Sequence, residues 1–157
     1  MARISFTLNG QPVVADLPPT RRVLDALRDD FGLTGPKEGC GEGECGACAI
    51  LLDGALANAC LLPVLMLEGR QVITIEGYRN TEGFRVLRQA FEDAGAVQCG
   101  FCTPGMVLAG AALLARHPHP TEAQVREGLS GNLCRCTGYT MIVEAVMAAA
   151  ETGAGIW

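Results

Sequence analysis

The chain has 157 residues, and twelve basic against seventeen acidic side chains leave a net charge of −5. With no basic stripe interleaved with aromatics, nucleic acid is a poor partner, and the longest apolar stretches, Leu61 to Leu67 and Val107 to Ala115, are too short to span a bilayer. The opening MARISFTLNG has no charged n-region, apolar h-region or cleavage site, so the expected setting is the reducing cytoplasm.

Ile4, Phe6 and Leu8 alternate with Arg3, Ser5 and Thr7, which predicts a half-buried strand. Asn9-Gly10 is a strong hairpin signal, and Val13 to Asp16 is the expected returning strand. After Pro18-Pro19, the side chains of Val23, Leu24, Leu27 and Phe31 share one face of a predicted helix, which should lie across the hairpin. Six glycines between Gly32 and Cys48 then exclude regular structure. Ala49 to Leu52 reads as a strand ending in the Asp53-Gly54 turn, and Val72 to Ile75 as another, so the first half is expected to be a compact α+β domain over residues 1–77.

A polar linker is predicted from about Gly77 to Gly83, followed by a helical domain over residues 84–157. Phe84, Leu87, Ala90 and Phe91 mark its first helix, and Thr103-Pro104 reads as an N-cap followed by proline at the first helical position of the second. Thr121 and Gln124 form a capping box for a short third helix. Ile142, Val143, Val146 and Ala149 are the predicted buried face of the last, which together make a bundle of four helices. Met66, Met106, Met141 and Met147 lie among apolar residues and are expected to pack in cores.

All eight cysteines fall into two groups of four. Cys40, Cys45 and Cys48 read C-x4-C-x2-C with Cys60 as a fourth, the spacing of plant-type 2Fe-2S ferredoxins. Gly39, Gly41, Gly43 and Gly46 let that loop approach sulfur closely and aim N–H groups at it, which stabilises a reduced cluster. Zinc sites more often use two paired C-x2-C knuckles. The second group, Cys99, Cys102, Cys134 and Cys136, precedes two predicted helix starts, where the dipole favours thiolates. Its C-x2-C is common to zinc and iron-sulfur chemistry, and the C-x-C pair favours the cluster. A disulfide framework belongs mainly to shorter secreted chains.

Among the other polar residues, Glu38, Glu42 and Glu44 form an acidic rim of solvated charges, and Arg135 is either a donor to the cluster or a partner's anion or simply solvated. His117 and His119 read as surface histidines. No nucleophile-base pair, paired carboxylates or phosphate fingerprint is present, so catalysis is expected on another chain.

The segments KEGCGEGECGACAILLDG (Lys37 to Gly54), NAC (Asn58 to Cys60), VQCGFCTPGM (Val97 to Met106) and LSGNLCRCTGY (Leu129 to Tyr139) resemble the iron-sulfur small subunit of xanthine oxidase family molybdenum hydroxylases. The resemblance covers nearly the whole chain. It implies a β-grasp ferredoxin-like domain followed by a four-helix bundle, each holding a 2Fe-2S cluster. Electrons would pass from molybdenum on a large molybdopterin-binding subunit to the Cys99, Cys102, Cys134, Cys136 cluster, and on to the Cys40, Cys45, Cys48, Cys60 cluster. Gln98 matches the family glutamine that hydrogen-bonds the pterin, with Cys136 close to it. CGFCTPGM and CTGY are more similar to the branch with a medium FAD subunit, which implies that partner. A cytosine dinucleotide form of the pterin and a dimer of heterotrimers are further expectations from the family resemblance. Pro36 and Ala49 stand where the family often has threonine, and neither removes a cysteine. An iron-sulfur redox sensor or a structural zinc protein is the alternative reading.

Overall fold

The computed structural model describes residues 1–157. Strands β1 (Ala2–Leu8) and β2 (Gln11–Leu17) pair antiparallel from Ala2 opposite Leu17 to Leu8 opposite Gln11. Asn9 and Gly10 both take positive φ, 51° and 81°, the two-residue turn whose twist matches that of the strands. The same device at Asp53-Gly54, φ 50° and 81°, joins β3 (Ala49–Leu52) to β4 (Ala55–Asn58). The sequence reading missed β4 and carried the last strand too far, since β5 is Gln71–Ile73 and Ile75 already opens a helix. The sheet order is β2-β1-β5-β3-β4, with β1 and β5 parallel and the other pairs antiparallel.

The predicted helix after Pro19 begins as α1 (Val23–Asp25) and widens into a π-turn over Ala26–Asp30, where the Phe31 N–H reaches the Ala26 carbonyl at 3.2 Å. Val23, Leu24, Ala26 and Leu27 bury against Ile4, Phe6, Ile50 and Val72, so the sheet grips the helix as a β-grasp does. The stretch from Leu61 to Leu67 ends in a 3-10 turn, Val64–Leu67, which buries its first and last residues and leaves Leu65 and Met66 outside. Met66, 49% exposed, is therefore a surface residue rather than a core one, whereas Met106 is fully buried and Met141 and Met147 pack at the margin of a core.

The predicted linker is mostly helical: α2 (Ile75–Tyr78) is followed by α3 (Glu82–Asp93), capped by the Thr81 hydroxyl accepting from Phe84 N. Helices α4 (Thr103–Arg116), α5 (Glu122–Gly128) and α6 (Thr140–Thr152) complete the second half, with Leu87, Met106, Leu114, Val125, Ile142 and Val146 in their common core. The capping box at Thr121 and Gln124 is present. Helix α4 starts one residue earlier than expected, since Thr103 is already its first residue and Cys102, in helical φ/ψ at −79° and −17°, takes the N-cap position without a side-chain cap hydrogen bond. No helix is long and apolar enough to cross a membrane.

The two halves share a seam. All four residues of β3 are buried, with Ile50 and Leu52 facing α1 and Leu51 facing Leu108 and Ala112 of α4. Fully burying a side chain such as Leu108 contributes roughly 1.5–3 kcal/mol. A polar knot adds direction to this seam. Buried Thr74 donates its N–H to Asn9 Oδ1 at 2.9 Å, and its hydroxyl accepts from Asn9 Nδ2 at 3.1 Å and donates to Glu76 Oε2 at 2.6 Å. Glu76 Oε1 then accepts from Gly35 N at 2.6 Å, which ties the hairpin, the cysteine loop and α2 together. Thr74→Val keeps the shape but leaves Asn9 Nδ2 without its acceptor and Glu76 Oε2 without its hydroxyl donor. It is expected to cost about 1–3 kcal/mol in denaturant or thermal unfolding, whereas Thr152→Val on the exposed end of α6 should stay within about 0.5 kcal/mol.

Trp157, which the sequence leaves unassigned, folds back on α6 and donates Nε1 to the Ala149 carbonyl at 3.2 Å. It also packs where a side chain at Gly83 would sit, so the C-terminus latches α6 to α3.

Candidate metal centres

The loop from Gly35 to Cys48 is held open by its own backbone. Cys40 Sγ accepts from the N–H groups of Glu42 and Glu44 at 3.4 and 3.3 Å, and these donors, with Cys45, hold its thiol at about 7, below the ordinary range. Cys48 lies in the first core, where burial pushes its thiol up to about 12. Gly39 must lack a side chain because a Cβ there would sit 2.8 Å from Cys45 Sγ. Asn58 braces the loop from the sheet side by donating Nδ2 to the Gly43 carbonyl at 2.8 Å. Glu38 is paired with Arg22 at 2.8 Å, while Glu42 and Glu44 are exposed. Pro36 and Ala49 are buried, and the Pro36 carbonyl accepts from Arg28 Nη1 at 2.8 Å.

The second group is assembled from two loops at the start of α4 and α6. Cys136 Sγ lies 3.6 Å from Cys99 Sγ, both exposed, and Cys102 is in hydrogen-bonding contact with Cys134 deeper in. Burial pushes Cys102 up to about 12. Burial also acts upward on Cys134, but the Thr137 hydroxyl and the N–H groups of Thr137 and Cys136 outweigh it and bring this thiol to about 7. The Thr137 hydroxyl donates to Cys134 Sγ at 3.1 Å, and Tyr139 Oη accepts from Cys134 N at 2.9 Å.

Each group is thus built from pairs. Cys40 contacts Cys45 and Cys48 contacts Cys60, and Cys45 in turn lies close enough to Cys48 to act on its charge. Cys99 with Cys136 and Cys102 with Cys134 repeat the pattern. No three of these side chains converge on a point suited to one metal ion. Two pairs facing each other fit the two-iron rhomb of a 2Fe-2S cluster, in which each iron takes two thiolates, better than the single tetrahedral centre of zinc.

The two loops touch. Leu133 N donates to the Cys45 carbonyl at 2.8 Å, and buried Asn132 donates Nδ2 to the Gly46 carbonyl at 3.1 Å. One hydrogen bond therefore joins the backbone of Cys45 to the residue before Cys134. Gly46, at φ 68°, has no room for a side chain, since its Cβ would lie 2.5 Å from Asn132 Nδ2. Asn58 and Asn132 stand two residues before Cys60 and Cys134, and each spends its amide on a carbonyl of the first loop. That shared offset is a sequence signal that could have revealed both. Gln98 is exposed beside Cys99 with its side chain unpaired, Arg135 is exposed without an ion pair, and His117 and His119 lie on the surface away from both groups.

A family model described as a 2Fe-2S iron-sulfur cluster binding domain matches residues 6–72, and one described as a [2Fe-2S] binding domain matches residues 74–147. The chain is 47% identical over 148 residues to the nicotinate dehydrogenase small FeS subunit of Eubacterium barkeri, covering 94% of each. It is 43% identical over 151 residues to the xanthine dehydrogenase iron-sulfur-binding subunit of Escherichia coli O157:H7, covering 95% of this chain and 94% of that one. Its fold superposes with a TM-score of 0.91 on a chain of quinoline 2-oxidoreductase from Pseudomonas putida 86, at 45% identity and over 98% of this chain and 96% of that one. The chain belongs to the iron-sulfur small subunits of the xanthine oxidase family of molybdenum hydroxylases, oxidoreductases in which its part is electron transfer.

Proposed function

We propose that Cys40, Cys45, Cys48 and Cys60 hold one 2Fe-2S cluster and Cys99, Cys102, Cys134 and Cys136 a second, on domains spanning 1–77 and 84–157, the latter a four-helix bundle. The observation that carries this is the pairwise meeting of the sulfurs in both groups. A 2Fe-2S cluster bound at such a site takes up and releases one electron at a time. The chain's own residues supply the thiolates, shape the loops and aim donors at sulfur. Ligation has to draw protons from Cys48 and Cys102, so binding is coupled to folding and to pH.

The second centre faces the large molybdopterin subunit, with Gln98 contacting the pterin, in its cytosine dinucleotide form, and Cys136 nearby. The first faces a medium FAD subunit, the complex is a dimer of heterotrimers, and it works in the cytoplasm. Two exposed apolar sets support two docking faces: Val97, Phe101 and Leu133 are interleaved with the second group, and Leu61, Leu65 and Met66 follow Cys60. Relatives named for nicotinate and xanthine have small subunits this similar, which supports a substrate choice made on another chain.

Iron and acid-labile sulfide analysis with low-temperature EPR of the reduced protein tests this. Two distinct rhombic signals and equal iron and sulfide are expected. Bound zinc, or a single signal, refutes the assignment.

A further inference from the structure

Of all the side chains near the eight sulfurs, one hydroxyl donates to any of them: Thr137, at 3.1 Å from Cys134 Sγ. Its proton has little choice of direction, because the hydroxyl oxygen already accepts from the Tyr139 N–H at 3.3 Å. A hydroxyl has a single proton, and with the oxygen engaged as acceptor that proton is left for the sulfur. Tyr139 makes this arrangement with its backbone at φ 71°, a conformation rare for a bulky side chain. It is held there from both ends. Its phenol oxygen accepts from Cys134 N at 2.9 Å, and its carbonyl accepts from Val143 N at 2.9 Å to open α6.

We infer that Thr137 sets the reduction potential of the second centre through its hydrogen bond to Cys134, and that Tyr139 is the positioning residue that aims it. The inference rests on the assignment of Cys134 as a cluster ligand. An electron added to the cluster increases negative charge on its sulfurs, and a donor at one of them stabilises the reduced form more than the oxidised one. The first centre is treated differently, since Cys40 accepts from the backbone N–H groups of Glu42 and Glu44 at 3.4 and 3.3 Å and from no hydroxyl. Substitution at Thr137 therefore moves one centre and not the other.

The test is an EPR-monitored redox titration of the purified holoenzyme with Thr137→Val, Thr137→Ser and Tyr139→Phe. In the Val variant the second centre is expected to become harder to reduce. The partition of one electron between the centres should shift about tenfold toward the first, which for a one-electron couple is about 59 mV. Thr137→Ser, which restores the donor, should return the potential, and Tyr139→Phe should give a smaller fall in the same direction. Thr137→Ala replaces the Val variant if that one does not load, and Tyr139→Phe decides if neither does. A second-centre potential that stays in place in the deciding variant, or a first-centre potential that falls equally, overturns the inference. Failure of the wild-type protein to show two signals would instead sink the cluster assignment beneath it.

Discussion

Cys48→Ala is expected to remove half the iron and sulfide and the EPR signal of the first centre, leaving that of the second intact. Cys48 is 2% exposed within the first core and contacts Cys60, so its loss leaves a buried thiol facing an apolar gap from which no nearby side chain can replace the ligand. Nothing comparable happens at the second centre, whose core is a separate set of residues on α3 to α6. In the assembled enzyme, substrate should still reduce the second centre while transfer to the physiological acceptor drops to background. Cys136→Ala should do the opposite and cut the chain off from the substrate side. If Cys48→Ala erased both signals together, the halves would not load independently, and the reading of two separate centres in series would fail. A rise in unfolding at lower denaturant is also expected, because a domain of this size leans on its metal as well as its core.

What could be read in advance follows from how locally each feature is encoded. The Asn9-Gly10 hairpin is written in two adjacent residues that both accept positive φ, and the capping box in two residues three apart. Strand β4 escaped because Ala55–Asn58 has one large apolar residue and half-exposed neighbours, so its identity comes from pairing with β3 rather than from its own pattern. The π-turn escaped because Val23, Leu24 and Leu27 present the same apolar stripe to the sheet whether the last turn is α or wider. Met66 was misread because a continuous apolar run gives no direction when it folds as a 3-10 turn.

At the centres, cysteine spacing announces the groups, but the pairing of Cys99 with Cys136 and of Cys102 with Cys134 crosses between loops more than thirty residues apart and exists only in three dimensions. The same is true of the supporting residues. Asn132 and Gly46 are 86 positions apart, and neither alone suggests a partner.

The contact between the loops makes Gly105 a sensitive position outside the cysteines. It lies in the first turn of α4, and a Cβ there would strike the Gly46 carbonyl and lie 3.1 Å from Asn132 Nδ2. Two effects of Gly105→Ala compete. Alanine improves the helix by about 1 kcal/mol, but the obstacle is backbone, which cannot rotate away, and overpacking of this kind costs about 1–3 kcal/mol. The steric term should win, with the loops forced apart. Breaking Asn132 Nδ2 from Gly46 O adds the cost of a buried amide without its acceptor. The Leu133 to Cys45 hydrogen bond is lost or lengthened with it. The spin-spin coupling between the two reduced centres should therefore weaken, and intramolecular electron transfer should slow, with both clusters still present. Gly131→Ala is the control, because a Cβ there meets nothing within 4 Å and its φ is not in the left-handed region. Unchanged coupling in a stable, fully loaded Gly105→Ala protein would mean that the hydrogen bond between the loops plays no part in connecting the two centres.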